Sequence, residues 1–504
     1  MRFPRLPKMP LDVQAKMLPN PPRRLVGLPA VVLSVGLLAV GPIVGLTARL
    51  TSGQRPPNPA PSATPPSIVG PQAFGLAIPT GPVVKGDGQR VMTRNSAGRP
   101  VVSEVYARVG EHLVLLMPDG ELVARVSDRV APTDRKFSPE EKGKLAEQLT
   151  ASSFLGFRTK TTRHYVYVYN TSDRFALVAS RILESMIRGM MAHAKSQRIE
   201  VHPPRVPLVM IMFRTEQEFH EYRRMPEGVL AYYHPLSNWV VLHEESPLAN
   251  IQPRLAIQQT VSTIAHEGAH QILHNIGVQA RLSAWPMWLN EGLAEYYAPT
   301  SFGKKLRWMG AGKVNDLRMF ELEQYLKSRD SRLPNTQLIQ ETVQAGRLTS
   351  AGYASAWSLT HFLATTRRAD FNKYVKKASE LGPFETLGGI AATGNVPENL
   401  DSFSDHFGAD LEELERRWLG HLNRLPYNDP FAEGPHFVAT VALPTGNGVG
   451  RDANLFHTRT LAKKWINARL ATLGRQEHRN VHSKISEFPN RIMAERFVRE
   501  WLRN

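Results

Sequence analysis

The chain has 504 residues, 42% hydrophobic and 21% charged, which supplies apolar material for two or three folded units and excludes a disordered or collagen-like chain. It contains no cysteine, so a disulfide scaffold, a thiolate zinc finger, an iron–sulfur site and a cysteine nucleophile are all excluded, and His, Asp and Glu remain as the strong metal ligands. Lys and Arg number 62 against 45 Asp and Glu, a formal charge of +17 that suits a polyanion or an anionic membrane surface without naming either.

Residues 1–24 form a basic segment carrying Arg2, Arg5, Lys8, Lys16, Arg23 and Arg24 against Asp12 as its one acid. The uncharged residues 25–48 come next, long enough as a helix to cross a hydrocarbon core of roughly 30 Å, and predict an uncleaved transmembrane anchor. Basic residues ahead of such a segment place the N-terminus in the cytoplasm and the remainder outside. The expectation is therefore a single-pass membrane protein with an extracytoplasmic body. Residues 49–85 read as a linker, rich in Pro, Ser, Gly and Ala. Residues 86–137 then change to short β-like runs, Val101–Val109, Leu113–Met117 and Glu121–Val126, with a turn at Pro118-Asp119-Gly120. We read them as a small SH3-like β-barrel that binds or spaces, since it holds no chemical constellation.

Residues 138–425 form the main body, an α+β unit. Ser138-Pro139-Glu140-Glu141 has the composition of a capped helix start. His164–Asn170 alternates as a strand, Arg174 to about Lys195 has helical spacing, Pro207–Phe213 is a buried-type strand and Glu216–Arg224 a short helix. Leu230–Tyr233 and Trp239–His243 read as a strand pair turning at Pro235-Leu236-Ser237-Asn238, and the region from Ile257 to Leu425 is mostly helical.

The chemistry sits at His266-Glu267-Gly268-Ala269-His270. On a helix the two histidines project from one face a single turn apart, where their imidazoles can hold one Zn²⁺. Glu267 stands beside that face, placed to take a proton from an activated water. Gly268 inside a helix points to close approach by another backbone or by substrate. Further on, the run Trp285–Tyr297 (WPMWLNEGLAEYY) carries Glu291 on a second predicted helix. Glu291 would complete a His₂Glu set with one open position, and Glu295, one turn later, could orient a ligand histidine through its free ring nitrogen. The bland alternative is a buried helix with two hydrogen-bonded histidines and a solvated helix with two glutamates. The aromatic flank of the second helix opposes it, because burying two carboxylates without a cation is costly.

At these residues the chain resembles the gluzincin metallopeptidases, especially the aminopeptidase-N family and the peptidase-MA-like domains. The resemblance rests on His266–His270 and on Trp288-Leu289-Asn290-Glu291-Gly292-Leu293-Ala294, is strongest over 257–298 and is looser over 162–425. It implies a gluzincin-like catalytic domain, a mixed sheet with the metal helix and a helical lobe. It further implies zinc on His266, His270 and Glu291, Glu267 as general base, and Asn290 and Glu295 supporting the ligands. In the segment Gly352–Leu363 the family places a tyrosine that donates to the tetrahedral intermediate. Tyr353 matches that position, with His361 as a competitor and a core tyrosine as the plain alternative. No GAMEN-like segment is present. The strand Trp239–His243 with Glu244 and Glu245 occupies roughly its place, so aminopeptidase specificity does not transfer, although an edge strand there could align an extended peptide. His274 reads as core or as support for the ligands.

Residues 426–504 are a basic C-terminal tail, with twelve Lys or Arg against five Asp or Glu from 451 onward. A solvated helix surface accounts for this charge, with contact to an anionic envelope polymer or lipid next, and no nucleic-acid recognition motif is present. The expected function is a membrane-anchored zinc peptidase acting on peptides or proteins. A silent gluzincin-like binding module at the cell envelope is the rival reading, and another metal-dependent hydrolase the third. No substrate-binding residue is legible.

Overall fold

Five strands make the central sheet, in the order Ala231–His234, Trp239–His243, Leu208–Phe213, Tyr165–Tyr169, Arg158–Thr161. The computed structural model describes residues 67–503 apart from 227, 247–252, 303–305, 329–335, 389–395, 446–447 and 472–480. The three middle strands run parallel, and each outer strand is antiparallel to its neighbour. Every residue of Tyr165–Tyr169 and Leu208–Phe213 is buried, because elements cover both faces, the situation that gives parallel strands a continuous apolar sequence. Alternate residues serve the two faces. Val166, Val168, Val209 and Ile211 meet α1 (Lys142–Ser152) and α3 (Glu216–Tyr222). Tyr165, Tyr167, Met210 and Met212 meet α2 (Asp173–Ser196) and α4 (Pro253–Asn275).

A helical lobe completes the body. It contains α5 (Met287–Tyr297), α6 (Asp316–Ser328), α7 (Gln337–Val343), α8 (Ser350–Thr366), α9 (Arg368–Ser379), α10 (Pro397–Phe407) and α11 (Leu411–Leu422). Local chemistry sets several starts. Ser172 Oγ accepts from Phe175 N at the head of α2, and Thr215 with Glu218 forms a reciprocal cap on α3. The cap expected from Ser138 is not made; Glu141 occupies that place without a side-chain bond.

The β module has six antiparallel strands along the path Leu122–Val126, His112–Leu116, Pro100–Val109, Arg90–Arg94, Ala131–Pro132, with Val83–Lys85 also on the long strand. One of its faces packs Val91, Val105, Leu113 and Leu115 together. The other presents Ala107, Val109, Val114 and Leu122 to Leu282 and Phe384 of the body. Arg281, buried at this junction, donates to Gly120 O at 2.7 Å, to Pro235 O at 2.8 Å and to Leu236 O at 2.8 Å. Tyr106 Oη donates to Arg281 O at 2.7 Å.

The segment read as a basic tail folds into a unit of its own. A three-stranded antiparallel sheet, Gly448–Phe456, His436–Thr445, His482–Phe488, carries α12 (Arg459–Ala471) on one face and α13 (Arg491–Arg503) on the other. Two of its strands escape sequence reading because Pro444, Gly448 and Gly450 interrupt them, and the third because it is short and polar.

The expected membrane anchor also requires correction. The molecule is a mixed α/β protein with several antiparallel sheets, and among the described residues no helix is long and apolar enough to cross a membrane. The longest, α2, has the length, but its sequence includes Arg174, Arg181, Glu184 and Arg188, the polar half of an amphipathic helix. The stretch 25–48 lies outside the described residues. The transmembrane anchor in the expected fold class, and the single-pass, extracytoplasmic localisation drawn from it, therefore have no support and are set aside.

Candidate metal centre

α4 enters the core as its residues require. Val261, Ile264, Ala265, Ala269, Ile272 and Leu273 are buried in the main core, and polar contacts fix its rotation. Gln271 Nε2 donates to Asn238 O at 2.6 Å and to Val209 O at 3.1 Å, and Asn275 Nδ2 donates to Asn238 Oδ1 at 2.7 Å. Gly268 faces α2, where a Cβ would come within 2.1 Å of Leu183 Cδ2. The close approach anticipated there is made by a neighbouring side chain and not by backbone or substrate.

With α4 so set, His266 and His270 turn their Nε2 atoms towards each other, 3.2 Å apart. α5 brings Glu291 to the same point, with Oε2 3.2 Å from His266 Nε2 and 3.4 Å from His270 Nε2. All three side chains are buried. A point equidistant from atoms so spaced lies about 1.9 Å from each, close to the roughly 2.0–2.1 Å at which imidazole nitrogen and carboxylate oxygen bind zinc, so His266, His270 and Glu291 would hold such a cation without rearrangement. The donor set, two imidazole nitrogens and one carboxylate oxygen, suits zinc.

Charge around the three donors points the same way. Burial raises the Glu291 carboxyl, but His270 and His266 outweigh it and bring it down to about 2. Burial lowers His270, keeping it neutral as a ligand imidazole must be. For His266 burial is again opposed: Glu295 and Glu291 push it up to about 10. Carboxylates that draw a proton onto His266 would equally draw a divalent cation to its neighbour atom. Glu267 is different. Burial pushes its carboxyl up to about 8, against the lowering influence of His266, and neither of its oxygens makes a hydrogen bond of good geometry among the described residues.

Supporting groups surround the ligands. Asn290 Nδ2 donates to Glu291 Oε1 at 3.1 Å. Glu295 Oε1 lies 3.0 Å from His266 Nδ1 and accepts from Arg318 Nη2 at 2.6 Å, while its Oε2 accepts from Asn315 Nδ2 at 2.9 Å. Arg318 Nη1 reaches Glu321 Oε2 at 2.6 Å, and Glu321 Oε1 accepts from Ser350 Oγ at 2.9 Å, at the start of α8. Arg318 also lies over the Tyr353 ring, 5.3 Å from its centroid. Tyr353 itself stands edge-on to His266 with ring centroids 6.0 Å apart. Burial holds its phenol well above the ordinary value, so it stays protonated and able to donate.

Arg318, Asn315 and Glu321 are not legible in the sequence. Their only signal is Arg318 placed directly between Leu317 and Met319, at a spacing to Glu321 that resembles an exposed helix pair. Other candidates fall elsewhere. His361 Nδ1 faces His421 Nε2 at 3.1 Å. His274 packs against Tyr233 in the core, lowered to about 3 by burial. Glu244 accepts from Ser172 N at 2.9 Å and Glu245 from Glu216 N at 3.0 Å, so both satisfy helix starts. Trp239–His243 is an interior strand; the edges of the sheet are Ala231–His234 and Arg158–Thr161.

A family described as "Protein of unknown function (DUF1570)" matches residues 260–385, about a quarter of the chain. That span includes all three candidate ligands, Glu267, the Arg318 relay and Tyr353, and its description states no activity. No curated protein matches the chain.

Proposed function

We propose that the chain is a gluzincin-type zinc peptidase, hydrolysing peptide bonds at the His266–His270–Glu291 centre. The observation that carries this reading is the convergence of three buried donor atoms within 3.4 Å of one another, beside the buried Glu267. Zinc held by these three side chains would supply Lewis acidity, polarising a carbonyl and making water acidic near neutral pH.

The chain's own residues do the rest. Glu267, whose carboxyl burial raises to about 8, takes a proton from the attacking water and returns it to the leaving amine nitrogen. Tyr353 keeps its phenolic proton and donates it as a hydrogen bond where oxyanion charge develops. Glu295 fixes the ring of His266 through Nδ1, leaving Nε2 to the cation, and Arg318 keeps Glu295 ionised. No covalent intermediate with the protein is needed.

Cleavage of a peptide library by the full chain, with and without a zinc chelator, tests the reading. Wild type should cleave, lose activity on chelation and regain it with zinc, and Glu267→Gln should fall by about 10²–10⁴-fold while holding its metal. A zinc-loaded wild type that cleaves nothing in the library, or an undiminished Glu267→Gln, contradicts it.

A further inference from the structure

Among the described residues, one other group of metal-ligating side chains gathers its donor atoms within 4.8 Å of one another: Asp429, His436 and His457. It lies far along the chain from the first centre, where the C-terminal unit meets α6. His436 opens the strand His436–Thr445 and His457 comes directly after Gly448–Phe456. Because Phe437 pairs with Phe456, the two imidazoles leave the same end of this hairpin, with ring centroids 4.3 Å apart. Asp429 comes from the connection after α11.

Proton bookkeeping among these groups leaves a gap. His436 Nδ1 lies 2.8 Å from Gly434 O, which can only accept, so Nδ1 carries the proton and a neutral ring presents a lone pair at Nε2. That nitrogen is 3.6 Å from Asp429 Oδ2, also an acceptor, and is buried without a hydrogen bond. His457 Nε2 stands 3.3 Å from the same oxygen and likewise makes no bond of good geometry. His436 Nε2 and Asp429 Oδ2 are thus two acceptors facing one another in a buried place, and a cation shared with His457 would satisfy them.

The surroundings are compatible with one. Arg491 Nη1 donates to Asp429 Oδ2 at 2.6 Å, but Glu323 and Glu495 pair with the same guanidinium, so its charge is shared among three acids. The rings of Phe320 and Phe431 flank His457 and keep one side dry, while its side chain, 10% exposed, offers a way in.

We propose that Asp429, His436 and His457 form a second divalent-metal site, of the two-nitrogen, one-oxygen type that suits zinc, clamping the base of the C-terminal hairpin. Its occupant ties the two strands of the hairpin to the connection after α11, beside Phe320 of α6. The site is separate from the proposed peptidase centre and stands or falls without it.

Zinc content of the full chain decides the matter, measured by mass spectrometry after chelation and dialysis against zinc. His436→Gln/His457→Gln should hold one zinc fewer per chain than wild type, whatever the first centre retains, and should lose the zinc-dependent part of its thermal stability. His266→Ala/His270→Ala should keep this metal. Should the first pair fail to fold, His457→Gln alone serves, with the same expected loss of one zinc. Equal zinc content in wild type and the folded His457→Gln chain, the result expected if the groups merely share a proton, overturns the proposal.

Discussion

Glu295 shows how one residue can decide the behaviour of another. It stands between Arg318, 2.6 Å away, and His266, 3.0 Å away. Burial alone would raise its carboxyl, but Arg318 and His266 bring it down to about 2 from 4.5. A folded value depressed in this way contributes stability that is complete above pH 4.5 and is lost as pH falls towards 2. The metal-free chain should therefore lose stability over that acid range, and Glu295→Gln should flatten this limb in denaturant titrations. The same variant should weaken zinc binding by about 10–100-fold, since His266 loses the partner that orients it. Tyr353→Phe separates a second role. In the proposed reaction it should lower kcat by about 10²-fold, roughly 3 kcal/mol, with KM nearly unchanged, because the hydrogen bond is made to the transition state. A KM effect of equal size would mark Tyr353 as a substrate-binding or packing residue.

The elements that carry these residues are held by close contacts. Gly292 on α5 lies against α8, where a Cβ would meet Thr360 Oγ1 at 2.2 Å and Ala356 O at 2.6 Å. Gly292→Ala must push the helices apart and should cost about 1–3 kcal/mol, read as a lowered Tm. Zinc affinity should fall with it, because Glu291 rides on the displaced helix. The legibility of each element in the sequence depends on the kind of signal it leaves. α4 and α5 announce themselves because the ligand histidines recur at one helical turn inside an apolar run, and Glu291 and Glu295 stand at the same spacing among aromatics. The strands Tyr165–Tyr169 and Leu208–Phe213 are equally plain from their unbroken apolar composition. Arg318 leaves no such trace, since a buried arginine and an exposed one look alike until Glu295 and Glu321 are seen on either side. Glu244 and Glu245 leave an equally bare trace: two acids after a strand have no assigned role until the helix starts they serve are visible.

Across the whole molecule, the β module and the body act as one piece. Arg281 joins the turn at Gly120 to the turn at Pro235 and Leu236, which closes onto the edge strand Ala231–His234. Arg281→Met would leave these buried carbonyls without their donor and should destabilise the chain by about 3 kcal/mol or more, a loss that chemical denaturation would register in both units together. Separate transitions for the module and the body, unaffected by Arg281→Met, would show that the junction carries little of the stability. The central claim remains that two imidazoles of α4 and a carboxylate of α5 hold one zinc ion. An anomalous-difference map recorded at the zinc absorption edge, from crystals of the full chain grown with zinc, tests it most directly. A peak bounded by His266 Nε2, His270 Nε2 and Glu291 Oε2 is expected; a map with no peak at that position would mean that these side chains do not hold zinc.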